Sequence, residues 1–188
     1  MDMETATKMK VQNRKQMIPY IGIPVLAALL FALRRESEKP IILLLYEVLL
    51  VFGYVAAVGD LREMRVSNRL VGALFCAWVL VMVPQLYLQT ETATVVLISG
   101  FVGAVLCGIL MLVVYMVSRK GLGGGDVKFM TVSGLYLGAA NVLPAMLYGA
   151  ILAAAVGLGL VLLKKIGMRD AIPLAPFLYA GMLIVMFI

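Results

Sequence analysis

Residues 93–117 read ATVVLISGFVGAVLCGILMLVVYMV and contain no charged side chain. A helix needs about 20 mostly apolar residues to cross the hydrocarbon core of a bilayer. This run is longer than that, so it predicts a transmembrane helix. Whether the whole protein is a membrane protein depends on how much of the remaining chain is equally apolar.

The rest of the chain is nearly as apolar. Of its 188 residues, 63% are hydrophobic and 14% are charged, and the mean hydropathy is +1.05. An ordinary soluble domain is roughly 45–50% apolar and about 25% charged, and disordered chains are more polar still. The composition therefore predicts an all-α, polytopic helix bundle embedded in the lipid bilayer.

Apolar runs of spanning or near-spanning length predict about seven transmembrane helices. The count falls to six if the first run lies flat on the membrane or if the fifth is only half a span. Short connections leave no room for a soluble domain, so we expect one membrane domain over residues 1–188. The runs are 17–33, 41–59, 69–88, 93–117, 127–140, 142–163 and 171–188.

Basic residues are concentrated on one side of this predicted topology. With the N-terminus in the cytoplasm, the inner segments are 1–16, 60–69, 118–128 and 164–170, and they hold thirteen of the sixteen Lys and Arg residues. Segments rich in Lys and Arg stay on the cytoplasmic side. The pattern predicts a cytoplasmic N-terminus and an external C-terminus, and it accounts for the net charge of +6 without a nucleic-acid partner.

The residue types present exclude several kinds of catalytic site. The chain has no histidine, which excludes Ser-His and Cys-His pairs and His-ligated zinc. Cys76 and Cys107 lie far apart in apolar runs, so they cannot form a four-thiolate metal site, and we interpret them as packing residues. We expect neither a metal nor a cofactor. The ten acidic residues therefore remain as the candidates for catalysis.

Two predicted inner turns each carry an aspartate at a helix end. Residues 59–69 read GDLREMRVSNR and include Asp60, and residues 120–128 read KGLGGGDVK and include Asp126. Four glycines within 121–125 disfavour a helix there and let another chain approach the backbone closely. The structural interpretation is a flexible turn in which Asp126 only caps the next helix.

The length of the next apolar run favours a functional interpretation. Residues 127–140 would form a helix about 21 Å long, against a hydrocarbon core of about 30 Å. A carboxylate at membrane depth costs a few kcal/mol, and irregular backbone is tolerated there only beside a wet cavity. The sequence therefore predicts a water-filled notch, open to the cytoplasm, with Asp126 in its wall.

Asp60 ends its helix on the same side of the membrane, so the two carboxyl groups can meet. Two carboxylates about 4 Å apart repel by about 4 kcal/mol at an effective dielectric constant of 20, which keeps one protonated while the other is ionised. Such a pair can activate a water and protonate a carbonyl group. The pattern indicates peptide hydrolysis without histidine, metal or a covalent intermediate.

Two other functions would fit the same residues, but each explains the pattern less well. A small transporter or channel could employ Asp60 and Asp126 as a proton or cation relay, since broken helices beside wet cavities occur in transporters. Both acids lie at the cytoplasmic end, however, where a relay across the membrane gains little. A scaffold subunit without activity leaves the paired acidic turns unexplained.

These motifs resemble those of the type IV prepilin peptidase family, intramembrane aspartyl proteases of the GxGD kind, from about residue 41 onwards. Residues 123–128 (GGGDVK) fit the family's GxGD-hydrophobic-Lys motif. A second motif of the family is an aspartate followed, after five residues, by Ile-Pro-Asn. Asp60 and residues 66–68 (VSN) fit this motif, with Ser67 where the family has proline. Residues 172–178 (IPLAPFL) are similar to its Ile-Pro-Phe-Gly-Pro-Phe-Leu signature.

The resemblance implies that Asp60 and Asp126 are the catalytic pair of an aspartic endopeptidase. It implies a core over 41–188, with 1–40 as an extra N-terminal helix region. The other residues it points to are Gly123, Gly125, Lys128 and Asn68, for positioning the substrate, and Pro173 and Pro176 as secondary candidates.

The resemblance also implies a substrate and a location. The substrate is a prepilin, pseudopilin or preflagellin whose short basic leader precedes an apolar helix, and cleavage follows a glycine at the cytoplasmic face of the plasma membrane. Larger members of the family carry an inserted cytoplasmic domain, often with paired CxxC motifs, and methylate the new N-terminus. No residue run here could form that domain, so we expect a small, Tad-type or preflagellin-peptidase-like member without methyltransferase activity.

Glu47 is an acid within the predicted span 41–59, where a charge is costly. In one interpretation it faces the notch and tunes the aspartate pair or contacts a basic leader. In the other it is protonated or hydrogen-bonded to a neighbouring helix. The sequence does not choose between them.

Overall fold

The computed structural model describes residues 22–34, 39–118, 123–165, 167 and 172–188, and these parts of the chain form helices joined by short connections, without strands. The second to fifth helices are long and apolar enough to cross a membrane. The all-α membrane bundle predicted from composition is thus confirmed. The helices are α1 (Gly22–Arg34), α2 (Pro40–Glu63), α3 (Asn68–Leu88), α4 (Thr90–Val117), α5 (Gly124–Leu162) and α6 (Ala175–Phe187).

Helix α5 consists of two helices joined at Gly138, whose backbone (φ 73°, ψ 175°) is not helical. Before this break, Thr131 lies against Gly108 of α4. After it, the Met146 sulfur lies 3.2 Å from that of Cys107. Residues 131 and 146 therefore pack on adjacent residues of α4, so the chain has reversed direction between them. We call the two halves α5a (124–137) and α5b (139–162); they correspond to the two separate spans predicted from the sequence.

Helices α4 and α5a approach each other closely through glycines. A Cβ on Gly134 would lie 2.8 Å from the Ala104 Cα, and a Cβ on Gly103 would lie 2.7 Å from the Gly134 carbonyl oxygen. Small residues at such interfaces are the usual means of packing helices in a membrane. This contact fixes the depth of α5a against α4.

The reversal at Gly138 is held by polar contacts from two neighbouring helices, α3 and α4. Trp78 Nε1 donates to the Leu135 carbonyl at 3.2 Å, and the Tyr136 hydroxyl donates to the Leu74 carbonyl at 2.6 Å. Beyond the break, the Ala139 amide donates to Ser99 Oγ at 3.2 Å. Backbone groups freed by a broken helix need such partners in a membrane, so the outer end of α5a is anchored rather than loose.

The first and last predicted spans differ from the helices observed. Helix α6 begins at Ala175 rather than at 171, because Pro173 disfavours helical backbone in the residue before it, and residues 172–174 are not helical. Pro176 lies in the first turn of α6, where proline is tolerated. Of the predicted span 17–33, the structure describes α1 from Gly22, and residues 17–21 lie outside the described residues.

Candidate active site

Asp60 lies in the last turns of α2 and is 3% exposed. Its Oδ2 accepts a hydrogen bond of 3.0 Å from the backbone amide of Ala175, the first residue of α6. Helix N-termini stabilise carboxylates through their unpaired amides and the helix dipole. Asp60 is therefore fixed between the end of one helix and the start of another.

The chain leaves α2 one turn after Asp60, at Glu63. Met64 adopts a left-handed conformation (φ 51°), and its amide donates to the Asp60 carbonyl at 2.8 Å. Ser67 then caps α3, accepting from the Arg69 amide at 3.3 Å, with φ −68°. Proline holds φ near −65°, so the serine in this chain adopts the backbone conformation that the family's proline would impose.

Asp126 lies in the first turn of α5 and is 7% exposed. Its carboxyl group is hydrogen-bonded to the backbone amide of Gly123, the N-cap residue, in the manner of an acid at the third helical position. Its Oδ1 is buried and has no hydrogen-bond partner among the described residues. The side chain thus caps the helix with one oxygen and leaves the other available.

The two carboxyl groups lie close enough for their charges to interact directly. They come from different helices, α2 and α5, and both helix ends lie at the same end of the bundle. Within the described ranges, no further acid or cysteine joins them as a group of three that could hold a metal ion. The two acidic turns predicted from the sequence are therefore brought together as a pair.

The three glycines before Asp126 have different surroundings. A Cβ on Gly123 would lie 2.8 Å from Asp126 Oδ2, and a Cβ on Gly125 would lie 2.7 Å from the Val66 carbonyl oxygen. A Cβ on Gly124 would meet nothing within 4 Å. Packing against backbone therefore requires glycine at position 125, whereas a side chain at position 123 would displace the Asp126 carboxyl group and position 124 is open.

A cavity of about 450 Å³ lies between the α2–α3 connection and the start of α5. Lys128 Nζ donates to Asn68 Oδ1 at 3.1 Å across it. The structure thereby brings the four predicted substrate-positioning residues to the same cavity as Asp126. Its lining residues are Met64, Arg65, Val66, Asn68, Gly123, Gly124, Gly125, Asp126 and Lys128.

The remaining predicted residues lie elsewhere. Glu47 precedes Asp60 by thirteen residues, about 20 Å along α2, so it does not join the pair; its Oε1 is buried without a hydrogen-bond partner in the described part of the chain. Pro176 lies in the first turn of α6, and with Pro173 it brackets Ala175. The two prolines thus shape the turn that brings an amide to Asp60.

Two functional groups at this site were missed by sequence reasoning. They are the Ala175 amide, which holds Asp60, and the Val66 carbonyl, which packs against Gly125. Both belong to the backbone, and any residue type supplies such groups. The only available signal was indirect: the prolines on either side of Ala175 and the glycine opposite Val66.

Comparison with known proteins identifies the family of the chain. The chain is 30% identical over 83 residues to the prepilin leader peptidase/N-methyltransferase of Bacillus subtilis (strain 168), an alignment that covers 44% of this chain and 34% of that protein. The match thus spans about a third of the relative's length. No solved structure matches the chain significantly. The model of the type IV leader peptidase family matches residues 47–158, more than half of the chain. This multi-pass membrane protein therefore belongs to the type IV leader peptidase family, as its motifs predicted.

Proposed function

We propose that the protein is an aspartic endopeptidase of the cytoplasmic membrane that removes the short basic leader of a prepilin-like substrate. The observation that carries the proposal is that two buried carboxyl groups, those of Asp60 and Asp126, lie close enough for their charges to interact, and that Asp126 lines a cavity. Family membership supports the protease class. The name of the Bacillus subtilis relative supports a prepilin as substrate.

The reaction follows from sharing one proton between the two aspartates. The ionised carboxylate takes a proton from water, and the oxygen of that water bonds to the carbonyl carbon of the scissile peptide. The other carboxyl group gives its proton to the carbonyl oxygen. When the tetrahedral intermediate collapses, the C–N bond breaks and the leaving amine takes the proton held by the first aspartate. A hydroxyl group of the intermediate returns its proton to the second aspartate as the carbonyl group forms again, so the pair is restored.

The orientation of the site is supported by the distribution of charge. The end of the bundle that carries the aspartate pair is rich in basic residues, whereas the opposite end has few. Cytoplasmic ends of membrane helices carry such an excess, so we place the site at the cytoplasmic face, where a leader would be reached. The described basic residues at the site end are Arg62, Arg65, Arg69, Lys128, Lys164 and Lys165, and those at the other end are Arg34 and Lys39.

We expect cleavage without methyl transfer. Larger relatives that methylate the new N-terminus carry an inserted cytoplasmic domain. Here, four residues join α2 to α3, and one residue joins α3 to α4. Neither connection has room for such a domain, which supports a peptidase with a single activity.

A transporter function is less well supported. A relay through Asp60 and Asp126 would need a polar path to the other side of the membrane. Along α5a beyond Asp126, Phe129 and Met130 are fully buried in the core, and Glu47 lies about 20 Å away along α2. The two aspartates therefore lie at one end of the bundle, without a polar path along these helices to the other end.

The decisive test is reconstitution of the purified protein in lipid vesicles with a prepilin-like substrate, a basic leader that ends in glycine before an apolar helix. We expect one cut after that glycine, identified by mass spectrometry of both products. A matched substrate with valine in place of the glycine should stay whole. Failure to cut a substrate that an established prepilin peptidase cleaves, or cutting elsewhere, would refute the proposal.

The Lys128–Asn68 hydrogen bond predicts a coupled effect on activity. It joins the first turn of α5, which carries Asp126, to the first residue of α3, and so holds one wall of the cavity. We expect Lys128→Met and Asn68→Ala each to lower kcat/KM about threefold to tenfold, the value of one ordinary hydrogen bond at an exposed site.

The double variant should be no slower than the slower single variant, because both changes remove the same bond. Arg69→Met serves as the control, since it removes a neighbouring exposed basic side chain and should leave kcat/KM unchanged. Additive losses in the double variant would contradict a shared role for the two residues.

A further inference from the structure

The cavity that Asp126 lines carries more positive charge than negative charge. Its charged lining residues are Arg65, Lys128 and Asp126. Arg65 is an exposed residue of the connection between α2 and α3, and no motif assigned it a role. In the proposed mechanism the two aspartates share one proton and therefore bear one negative charge between them. The two basic side chains thus leave an excess of one positive charge at the cavity.

Neither basic side chain is neutralised by an acid. Lys128 Nζ donates to Asn68 Oδ1 at 3.1 Å, and this amide oxygen bears no net charge. An ammonium group has three donors, so the contact with Asn68 leaves donors for a ligand. In the part of the chain that the structure describes, neither Lys128 nor Arg65 forms an ion pair. Uncompensated charge of one sign in a cleft raises the local concentration of the opposite ion, here an anion.

The backbone at the start of α5 adds hydrogen-bond donors to this charge. Gly124 and Gly125 are the first residues of α5, and both line the cavity. The first amides of a helix have no intrahelical acceptor, and a helix N-terminus favours a negative group. Asp126 meets only part of this demand: its carboxyl group takes the Gly123 amide, while its Oδ1 is buried without a partner among the described residues. The cavity therefore offers what a carboxylate ligand needs.

Peptide hydrolysis creates a carboxylate at this place. Cleavage converts the neutral carbonyl group of the leader's last residue into a carboxylate, and the new amino group leaves on the other product. The carbonyl carbon must lie beside the aspartate pair when water attacks it, and Asp126 lines the cavity. One carboxylate balances the excess positive charge. The uncleaved peptide has no charge at that carbonyl group, so the cavity distinguishes the product from the substrate.

We propose that this cavity is a binding site for the carboxylate that cleavage creates at the end of the leader, with Arg65 and Lys128 as its cationic ligands. This inference rests on the proposed function. The leader stays bound after the cut until its carboxylate leaves the two basic side chains. Free leader is therefore a competitive inhibitor, and its strength depends on the charge of its last residue.

The test compares two synthetic leader peptides that are identical except at the end, where one has a glycine carboxylate and the other a glycine amide. Their affinities are measured for the purified full chain in vesicles of phosphatidylcholine, whose headgroup has no net charge. We expect the acid to bind about tenfold more tightly than the amide, the value of a charge-assisted hydrogen bond. Equal affinities would overturn the inference.

Variants assign this preference to the cavity. Arg65→Met and Lys128→Met should each lower the ratio of the two affinities to about threefold, and the double variant should bind both peptides equally. Both side chains are exposed, so the variants should fold, which melting temperatures would check. The control is Arg69→Met, which removes an exposed basic side chain outside the cavity lining and should keep the wild-type ratio. An unchanged ratio in the double variant would refute the site.

Two further comparisons separate this inference from its alternatives. Anionic phosphatidylglycerol is added to the vesicles, and the wild-type ratio should persist; its loss would assign the cavity to a lipid headgroup and overturn the inference. Cleavage is measured on the same preparation. A protein that cleaves its substrate but binds both peptides equally would refute the carboxylate site alone. A protein that prefers the acid but cleaves no prepilin-like substrate would retain the site and refute the proposed function.

Discussion

Asp60→Asn and Asp126→Asn are each expected to lower the rate of leader cleavage about 1,000-fold or more. General acid–base groups contribute about 10² to 10⁴ to a rate, and here either change removes the shared proton on which both steps depend. Asparagine keeps the size of the side chain, and its Oδ1 can still accept from the Ala175 amide at position 60. The variants should therefore fold, which their melting temperatures would check.

The control for this experiment is Glu63→Gln, which neutralises an exposed acid one turn after Asp60. It should cleave at the wild-type rate. Because the two aspartates act as a unit, the double variant should be no slower than either single variant. A folded Asp60→Asn or Asp126→Asn variant that retains a tenth of the wild-type rate would show that the pair is not the catalytic centre.

Gly125→Ala is expected to cause the second largest loss, about 100-fold in kcat/KM, together with a lower melting temperature. The added methyl group would lie 2.7 Å from the Val66 carbonyl oxygen. That atom belongs to the backbone, which cannot move aside as a side chain can, so the α2–α3 connection must shift away from Asp126. Displacements of about 1 Å in a catalytic site are enough for losses of this size.

The chain provides a matched control at the adjacent position. Gly124→Ala adds the same methyl group where nothing lies within 4 Å, and alanine is the better helix former. We expect it to keep wild-type activity and to melt at the same or a higher temperature. Equal effects of the two substitutions, measured as kcat/KM and melting temperature, would contradict the packing explanation of the motif.

Most of the helices could be predicted from the sequence because their signal is local. Uninterrupted apolar runs such as 93–117 identify a span without knowledge of its neighbours, and the two aspartates follow from turns that interrupt such runs. The break between 127–140 and 142–163 was harder to place, because no charge or proline marks it. It occurs at Gly138, where a positive φ is required.

The parts of the site that could not be predicted depend on contacts between distant segments. The Ala175 amide contacts Asp60 across 115 positions of the chain. Every residue type except proline has a backbone amide, so the sequence does not indicate which amide will act as the donor. Glu47 shows the opposite case. Its residue type allowed either a role in the site or a structural role, and the length of α2 argues against the first. Periodicity gives the face of a helix on which a residue lies but not the distance between two residues along it.

Because the chain reverses direction at Gly138, the length of α5a determines the depth at which Asp126 lies. Its far end is anchored by Trp78 and Ser99, so the depth of Asp126 is set by counting residues back from that anchor. Inserting or deleting one residue within 127–137 would move the carboxyl group by about 1.5 Å and turn it by about 100° around the helix axis, away from Asp60. Length variation should therefore be confined to the loops, whereas this segment must keep its residue count even where its side chains change.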